Sequence, residues 1–262
     1  LSPHAPAIPP VKTTNRRIQI INPVVNLSAK ITTPPMDGKP KFPPIYVLPG
    51  LGTDVALFDK IDSKNDWGRL DWIMPASPGE SLSSYASRMA SAIPATEEPV
   101  LLGVSFGGVI AQEIAQIRPV KGVILVSSLV SPAEKPWWLH LFRHVPLYRL
   151  GKGDWRIRTV PIWAPLWGIT HPDEQQFLQE MFARADDRVR MWSVAQLANW
   201  GGCTSRVPVL RLHGDRDGLF TVAEPESCEM IAGGTHFMIW QQADYIRKRI
   251  RAWMMQDLSA TM

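Results

Sequence analysis

The 262-residue sequence is poor in cysteine and has no long hydrophobic run. Two cysteines, Cys203 and Cys228, cannot form a zinc site by themselves, and they are either free thiols or one disulfide. No apolar stretch approaches the roughly 20 residues that span a bilayer, and no signal peptide is visible. We therefore expect no metal, no cofactor and no transmembrane segment.

Positive charge is modest and has no pattern. The formal net charge is +4, and no stripe of Lys or Arg alternates with aromatic residues along a strand. Proteins that bind nucleic acid usually carry such a basic patch, so we expect no nucleic-acid partner. A cytoplasmic location is favoured, although a chain that starts at Leu1 rather than Met leaves export open. Nothing in the sequence indicates the oligomeric state.

Hydrophobic residues make up 45% of the sequence, enough for one large core. Residues 1–17 are expected to be an extended, proline-rich tail. Over residues 18–128 apolar runs alternate with helical patterns, which favours a parallel sheet covered by helices. Residues 129–205 break this alternation and are predicted to be a helical insertion, and residues 206–262 return to the sheet pattern.

The predicted strands are short apolar or β-branched runs. Two of them, RRIQIIN and VVNLSAKI, have the character of antiparallel edge strands. The remaining strands are predicted at residues 45–50, 71–76, 100–104, 122–128, 207–214 and 227–234.

The stretch VLLGVSFGG, residues 100–108, places Ser105 between Gly103 and Gly107 in the spacing G-x-S-x-G. An apolar run precedes it and a helical pattern follows, which is the context of a nucleophile elbow. Such a tight turn requires small residues around the serine, and the helix that begins there directs free N–H groups toward the substrate. The sequence therefore predicts Ser105 as a nucleophile.

An acid and a base follow in the chain order expected of that elbow. Asp215 and Asp217 come after the predicted strand at residues 207–214, and His236 comes after the next strand. Parallel strands end at one edge of a sheet, where functional groups collect. We predict Asp217 as the acid and His236 as the base. Asp215 is the alternative acid. His213 is the competing base, but its position at the end of the strand favours a buried or loop-bracing histidine.

Two backbone N–H groups are predicted to stabilise an oxyanion. One belongs to Phe106, directly after the serine, and the other to Leu51 in the turn LPGLGTD. Gly50 permits that turn. The alternative is that Pro49, Gly50 and Gly52 form an ordinary turn with no such role.

These stretches resemble the α/β-hydrolase family, and within it the cap-bearing serine hydrolases with a short LPGLG loop. The likeness covers residues 45–128 and 207–257 and does not extend to the insertion. It implies a mostly parallel, eight-stranded sheet flanked by helices, with a helical cap. It also implies a catalytic triad of Ser105, Asp217 and His236.

The sequence departs from many family members at Pro49-Gly50, where they have His-Gly. A histidine that could donate a hydrogen bond is lost there, whereas a backbone donor is retained. A serine rather than an aspartate at the elbow argues against haloalkane dehalogenases and epoxide hydrolases. The resemblance therefore implies an enzyme that hydrolyses a carboxylic ester of a small or medium apolar substrate.

Other functions remain open. The same triad could carry out thioester hydrolysis, acyl transfer or carbon–carbon bond hydrolysis. The chain could also be a non-catalytic ligand-binding member of the fold.

The insertion is expected to determine the substrate specificity. It holds seven of the 11 tryptophans, and we predict Trp137, Trp138, Phe142 and Trp163 as pocket residues. Residues 135–158 contain six Lys or Arg and one acidic residue. This segment is either a solvated face or a surface that attracts an anionic substrate or a membrane interface.

Overall fold

A computed structural model describes residues 42–145, 155–204 and 206–258. Its strands are β1 Ile45–Leu48, β2 Gly68–Arg69, β3 Val100–Val104, β4 Gly122–Val126, β5 Val209–Gly214 and β6 Glu229–Ile231. They form one sheet in the order β2-β1-β3-β4-β5-β6, and every neighbouring pair is parallel. The predicted parallel sheet is therefore confirmed.

The central strands are apolar because both faces of the sheet are covered. Successive side chains point to opposite faces, so Val47 and Leu102 join one core whereas Tyr46 and Leu101 join the other. All four are at most 1% exposed.

The helices of the described residues cover these two faces. They are α1 Leu82–Ala90, α2 Phe106–Ile117, α3 Trp137–His144, α4 Trp155–Arg158, α5 Val160–Trp163, α6 Pro172–Arg184, α7 Asp187–Asn199, α8 Met238–Gln241 and α9 Ala243–Trp253. Short 3₁₀ turns occur at Val55–Phe58, Pro132–Glu134, Ala164–Trp167 and Pro225–Ser227, and a π-helical turn at Met254–Leu258 follows α9.

The helices between β4 and β5 are divided between the two cores. Leu139 of α3 and Trp192 of α7 pack in the core that contains α1 and α2. Leu178 and Met181 of α6 pack in the core that contains α8 and α9. Residues 129–145 and 155–204 contain no strand.

The predicted strand at residues 71–76 is wrong. The edge strand that pairs with β1 is β2, and Leu70 then donates a last hydrogen bond to Val47 O at 3.0 Å. Farther along the chain, the backbone of Ile73 is hydrogen-bonded by a side chain rather than by a neighbouring strand. The Tyr85 hydroxyl donates to Ile73 O at 2.8 Å and accepts from Ile73 N at 3.1 Å. Trp72 and Ile73 are half-buried against the core without belonging to the sheet.

The sheet has six strands in the described residues rather than eight. The two predicted edge strands, RRIQIIN and VVNLSAKI, and the predicted tail at residues 1–17 lie outside the described residues. Across the described ranges, no helix combines the length and the apolar character needed to cross a membrane.

Candidate active site

Ser105 lies at the junction of β3 and α2, in a backbone conformation that non-glycine residues rarely adopt. Its φ is 52° and its ψ is −121°. Neighbouring groups hold this conformation on both sides. The Ser105 N–H donates to Val126 O at 3.0 Å, and its carbonyl accepts from the Ser128 hydroxyl at 2.7 Å. The structure therefore forms the strained strand-to-helix turn that the motif predicts.

The glycines around Ser105 are required by close backbone contacts. A Cβ atom on Gly103 would overlap the backbone of Gly107 and Gly108. A Cβ atom on Gly107 would overlap the carbonyl oxygens of Leu48 and Pro49, at the end of β1. The G-x-S-x-G spacing thus lets α2 start directly against two strand ends.

His236 connects Ser105 with Asp217. Its Nε2 atom lies 3.1 Å from the Ser105 hydroxyl oxygen, and its Nδ1 atom lies 2.8 Å from Oδ2 of Asp217. A carboxylate only accepts hydrogen bonds, so Nδ1 carries the proton and Nε2 is free to accept from Ser105. The structure brings together the three residues that the sequence predicts.

Asp217 is buried and hydrogen-bonded on several sides. Its side chain is 1% exposed, and Oδ1 accepts from the N–H groups of Leu219 at 2.9 Å and Phe220 at 3.1 Å. Burial by itself would raise the pKa of this carboxyl, but the interactions with His236, His213 and the Phe220 N–H together outweigh it, and the pKa lies below its usual value. Asp217 is therefore ionised at neutral pH.

The alternative acid and the alternative base have other partners, which are Gly233 for Asp215, and Phe220 and Asp217 for His213. Asp215 accepts a hydrogen bond from Gly233 N at 2.7 Å and braces the loop after β6. His213 is 2% exposed, and its Nε2 atom lies 3.2 Å from Phe220 O. It is thus the buried histidine that the sequence predicts, while His236 makes the contact with Ser105.

The two predicted oxyanion donors belong to backbone segments beside Ser105. A Cβ atom on Gly50 would lie 3.5 Å from Ser105 Cβ. Thr53 closes the turn, because its N–H and hydroxyl both donate to Gly50 O, at 3.1 Å and 2.9 Å. Phe106 is the first residue of α2, where backbone N–H groups have no acceptor within the helix. The assignment of Leu51 and Phe106 as donors stays a prediction.

Aromatic rings from the insertion approach His236. The Trp167 ring centroid lies 6.5 Å from the His236 ring, and the Trp163 ring lies 4.3 Å from Trp167. The Phe182 ring stacks on the Trp163 ring with centroids 5.6 Å apart. The Phe220 ring, which follows Asp217 by three residues, contacts the His236 ring edge-on with centroids 5.2 Å apart. The sequence predicts Trp163 as a pocket residue but not Trp167, although the two tryptophans four positions apart in WAPLW are a visible signal.

The other predicted pocket residues lie on α3. Trp138 and Phe142 contact each other at 5.6 Å and pack against the core of α1 and α2. Trp137 is 76% exposed. Their role in a substrate pocket stays a prediction.

The described residues hold no group of three His, Cys, Asp or Glu side chains placed to bind a metal ion. Both cysteines are free thiols. Burial raises the pKa of Cys203 to about 12 and that of Cys228 to about 11, so both thiols are protonated at neutral pH.

Solved structures of several enzymes resemble this chain. They include an esterase from Thermogutta terrifontis, with TM-score 0.64, 18% identity, and coverage of 81% of this chain and 89% of that one. A hydrolase from Pseudomonas aeruginosa PA01 matches with TM-score 0.63 and 15% identity, covering 83% and 91%. The enol-lactonase from Burkholderia xenovorans LB400 matches with TM-score 0.63 and 14% identity, covering 86% and 95%. Identities this low show a shared fold alone.

No curated protein matches the chain in sequence. The model of the alpha/beta hydrolase family, however, matches residues 42–249, which is well over half of the chain. The match spans β1, the Ser105 turn, the insertion, and the loops that carry Asp217 and His236. This chain belongs to the alpha/beta hydrolase family.

Proposed function

We propose that this member of a hydrolase family is a serine hydrolase that cleaves a carboxylic ester through an acyl-enzyme on Ser105. The observation that carries the proposal is the position of His236, 3.1 Å from Ser105 Oγ and 2.8 Å from Asp217 Oδ2. A serine hydroxyl is a weak nucleophile and needs a base that is itself oriented by a third group. This arrangement supplies both.

In the first half-reaction, Ser105 Oγ attacks the ester carbonyl carbon while His236 Nε2 takes the hydroxyl proton. The carbonyl π electrons move onto oxygen, and the N–H groups of Leu51 and Phe106 donate hydrogen bonds to this oxyanion. Asp217 stabilises the imidazolium. The tetrahedral intermediate then collapses, the bond from carbon to the alkoxy oxygen breaks, and the alcohol leaves with the proton from Nε2.

In the second half-reaction, water takes the place of the alcohol. His236 Nε2 removes a proton as the water oxygen bonds to the acyl carbon, and the same N–H groups hold the second oxyanion. Collapse of this intermediate breaks the bond to Ser105 Oγ, which regains its proton from His236. The products are the acid and the unmodified serine.

The substrate is a small or medium apolar ester, and the insertion at residues 129–205 acts as a cap that selects it. The proposal is supported by the rings of Trp167 and Phe220, which lie 6.5 Å and 5.2 Å from the His236 ring. Such rings favour apolar groups next to a reacting carbonyl. Two of the similar structures are an esterase and an enol-lactonase, which agrees with an ester substrate.

The test compares the parent protein with Ser105→Ala on p-nitrophenyl esters and acyl thioesters of increasing chain length. We expect turnover of the esters and a fall in kcat of about 10³-fold or more in the variant. A fluorophosphonate probe should label Ser105 in the parent. Ser83→Ala, at an exposed position of α1, is the control and should behave as the parent does.

Equal ester turnover by the parent and Ser105→Ala would overturn the assignment of the nucleophile. Thioesters cleaved with a much higher kcat/KM than the matched esters would overturn the assignment of the ester substrate. Absence of both turnover and labelling would favour a non-catalytic protein.

A further inference from the structure

His213 contacts the proposed acid from a second direction. Its Nε2 atom lies 3.3 Å from Asp217 Oδ2 and 3.2 Å from Phe220 O. The two side chains are 2% and 1% exposed. Both neighbouring oxygens can only accept hydrogen bonds, so Nε2 carries the proton. This N–H donates to Phe220 O, and its contact with Asp217 is a close electrostatic one.

The surroundings of His213 keep its ring neutral. Burial disfavours the charged imidazolium and outweighs the attraction of Asp217, and the charges of His236 and Arg211 oppose protonation further, so the pKa lies below its usual value. Among the described residues, Nδ1 of His213 has no hydrogen-bond partner. A proton there would be a buried donor without an acceptor, which is costly.

From this geometry we propose that His213 is a positioning residue, which orients Asp217 and thereby His236. The proposal rests on the proposed serine-hydrolase function. His236 contacts both carboxylate oxygens of Asp217, two backbone N–H groups donate to Oδ1, and the His213 N–H lies beside Oδ2. His213 also holds the Phe220 carbonyl, and the Phe220 N–H donates to Oδ1, so the carboxylate keeps its orientation when the base moves or changes charge.

The same N–H also holds an aromatic ring beside the base. It contacts the carbonyl of Phe220, whose ring stands at 88° to the His236 ring with centroids 5.2 Å apart. One buried donor thus connects the acid with a ring that flanks the base.

The proposal predicts an electrostatic effect as well as an orienting one. The His213 N–H lies 3.3 Å from Asp217 Oδ2 and offsets part of the carboxylate charge, which weakens the attraction of the carboxylate for the His236 proton. Removal of this N–H should therefore strengthen the attraction of Asp217 for the protonated base. The acidic limb of the activity profile should then move to higher pH.

The test uses His213→Leu, which removes the donor, and His213→Gln, whose amide N–H reaches about as far as Nε2. The measurements are kcat and KM on p-nitrophenyl butyrate, and the rate of fluorophosphonate labelling against pH. For His213→Leu we expect kcat to fall about 10–100-fold with little change in KM. Its acidic limb should rise by about half a pH unit, and His213→Gln should recover most of both.

Unchanged kcat and an unchanged acidic limb in folded His213→Leu would overturn the proposal. Equal losses in His213→Leu and His213→Gln would also overturn it, because they would indicate packing rather than a hydrogen bond. Failure of the proposed function is separate, since the parent itself would then show no label on Ser105.

A measurement on the parent protein needs no variant to fold. ¹⁵N NMR of labelled histidines reports the tautomer and the charge of each ring. We expect His213 to be neutral with its proton on Nε2 at neutral pH. A charged ring, or a proton on Nδ1, would overturn the proposal.

Discussion

The carbonyl oxygen of Leu166 lies directly against Gly218, where a Cβ atom would be only 2.6 Å from it. Leu166 belongs to a turn of the insertion, and Gly218 follows the proposed acid Asp217. Two residues later, Gly168 packs against Thr235, the residue before His236. The insertion therefore contacts both loops that carry the proposed acid and base.

A side chain at Gly218 should disturb this contact. In Gly218→Ala the added methyl group meets a backbone oxygen, so the acid loop or the insertion must shift. We expect a lower kcat and a loss of about 1–3 kcal/mol in the free energy of unfolding. The control is Gly79→Ala, because no atom lies within 4 Å of a Cβ there. Ester kinetics and urea unfolding that do not differ between the two variants would contradict the prediction.

Trp167 should influence which acyl chains are accepted. Its ring lies 6.5 Å from His236, and its removal in Trp167→Ala takes away apolar surface beside the site. We expect KM for the longer p-nitrophenyl esters to rise about tenfold, a loss typical of one buried apolar contact. The control is Ile162→Ala on α5, at a side chain that is 74% exposed. The same chain-length preference in both variants would count against a role for the ring.

The sequence predicts the residues of the candidate site because each of them follows an apolar run that forms a strand of the parallel sheet. Ser105, Asp217 and His236 need only the strand order and the common edge of the sheet to be placed together. Their local signals, small residues around the serine and loops after the strands, are also visible within a few positions.

Features that depend on distant partners could not be predicted in this way. The run at residues 71–76 has the composition of a strand, but the Tyr85 hydroxyl bonds both backbone groups of Ile73. The contact of Trp167 with His236 depends on how the insertion folds back over the sheet. Likewise, His213 is visible as a buried residue, whereas its contact with Asp217 depends on the turn after β5.

Asp217 should matter far more for activity than Asp215. In Asp217→Asn the amide can donate a hydrogen bond to Nδ1 of His236 and so favour the wrong tautomer. We expect kcat to fall about 10³–10⁴-fold with the fold intact. Asp215→Asn is the matched control, because this side chain contacts Gly233 N rather than His236. A larger loss of kcat in Asp215→Asn than in Asp217→Asn would reverse the assignment of the acid.

A buried ion pair near the site should contribute to folding. Oε1 of Glu134 lies 2.7 Å from a guanidinium nitrogen of Arg211, and the two side chains are 1% and 4% exposed. Glu134 also accepts a hydrogen bond from the N–H of Val130. Glu134→Gln leaves the guanidinium charge buried without its counter-ion, so we expect a loss of about 3–5 kcal/mol in the free energy of unfolding. Urea unfolding measures this loss.

The control for that pair is the exposed contact of Asp244 with Arg247, where Asp244 is 79% exposed. Asp244→Asn should change the free energy of unfolding by no more than about 1 kcal/mol. Equal changes in the free energy of unfolding for the two substitutions would show that the buried pair contributes no more to stability than the exposed pair.

The buried His213 should also make stability depend on pH. Its pKa in the folded protein lies below the ordinary value of 6.5, so the unfolded chain binds more protons as the pH falls below 6.5. The free energy of unfolding must therefore increase as the pH rises from the folded-state pKa of His213 toward its unfolded-state pKa, and this contribution is lost as the pH falls through the folded-state pKa. The lowered pKa of Asp217 acts below about pH 4, where the unfolded carboxyl becomes protonated, so the two effects are separable. We expect urea unfolding at about pH 5.5 and about pH 7.5 to show a smaller difference in His213→Gln than in the parent; an equal difference would mean that another group causes it.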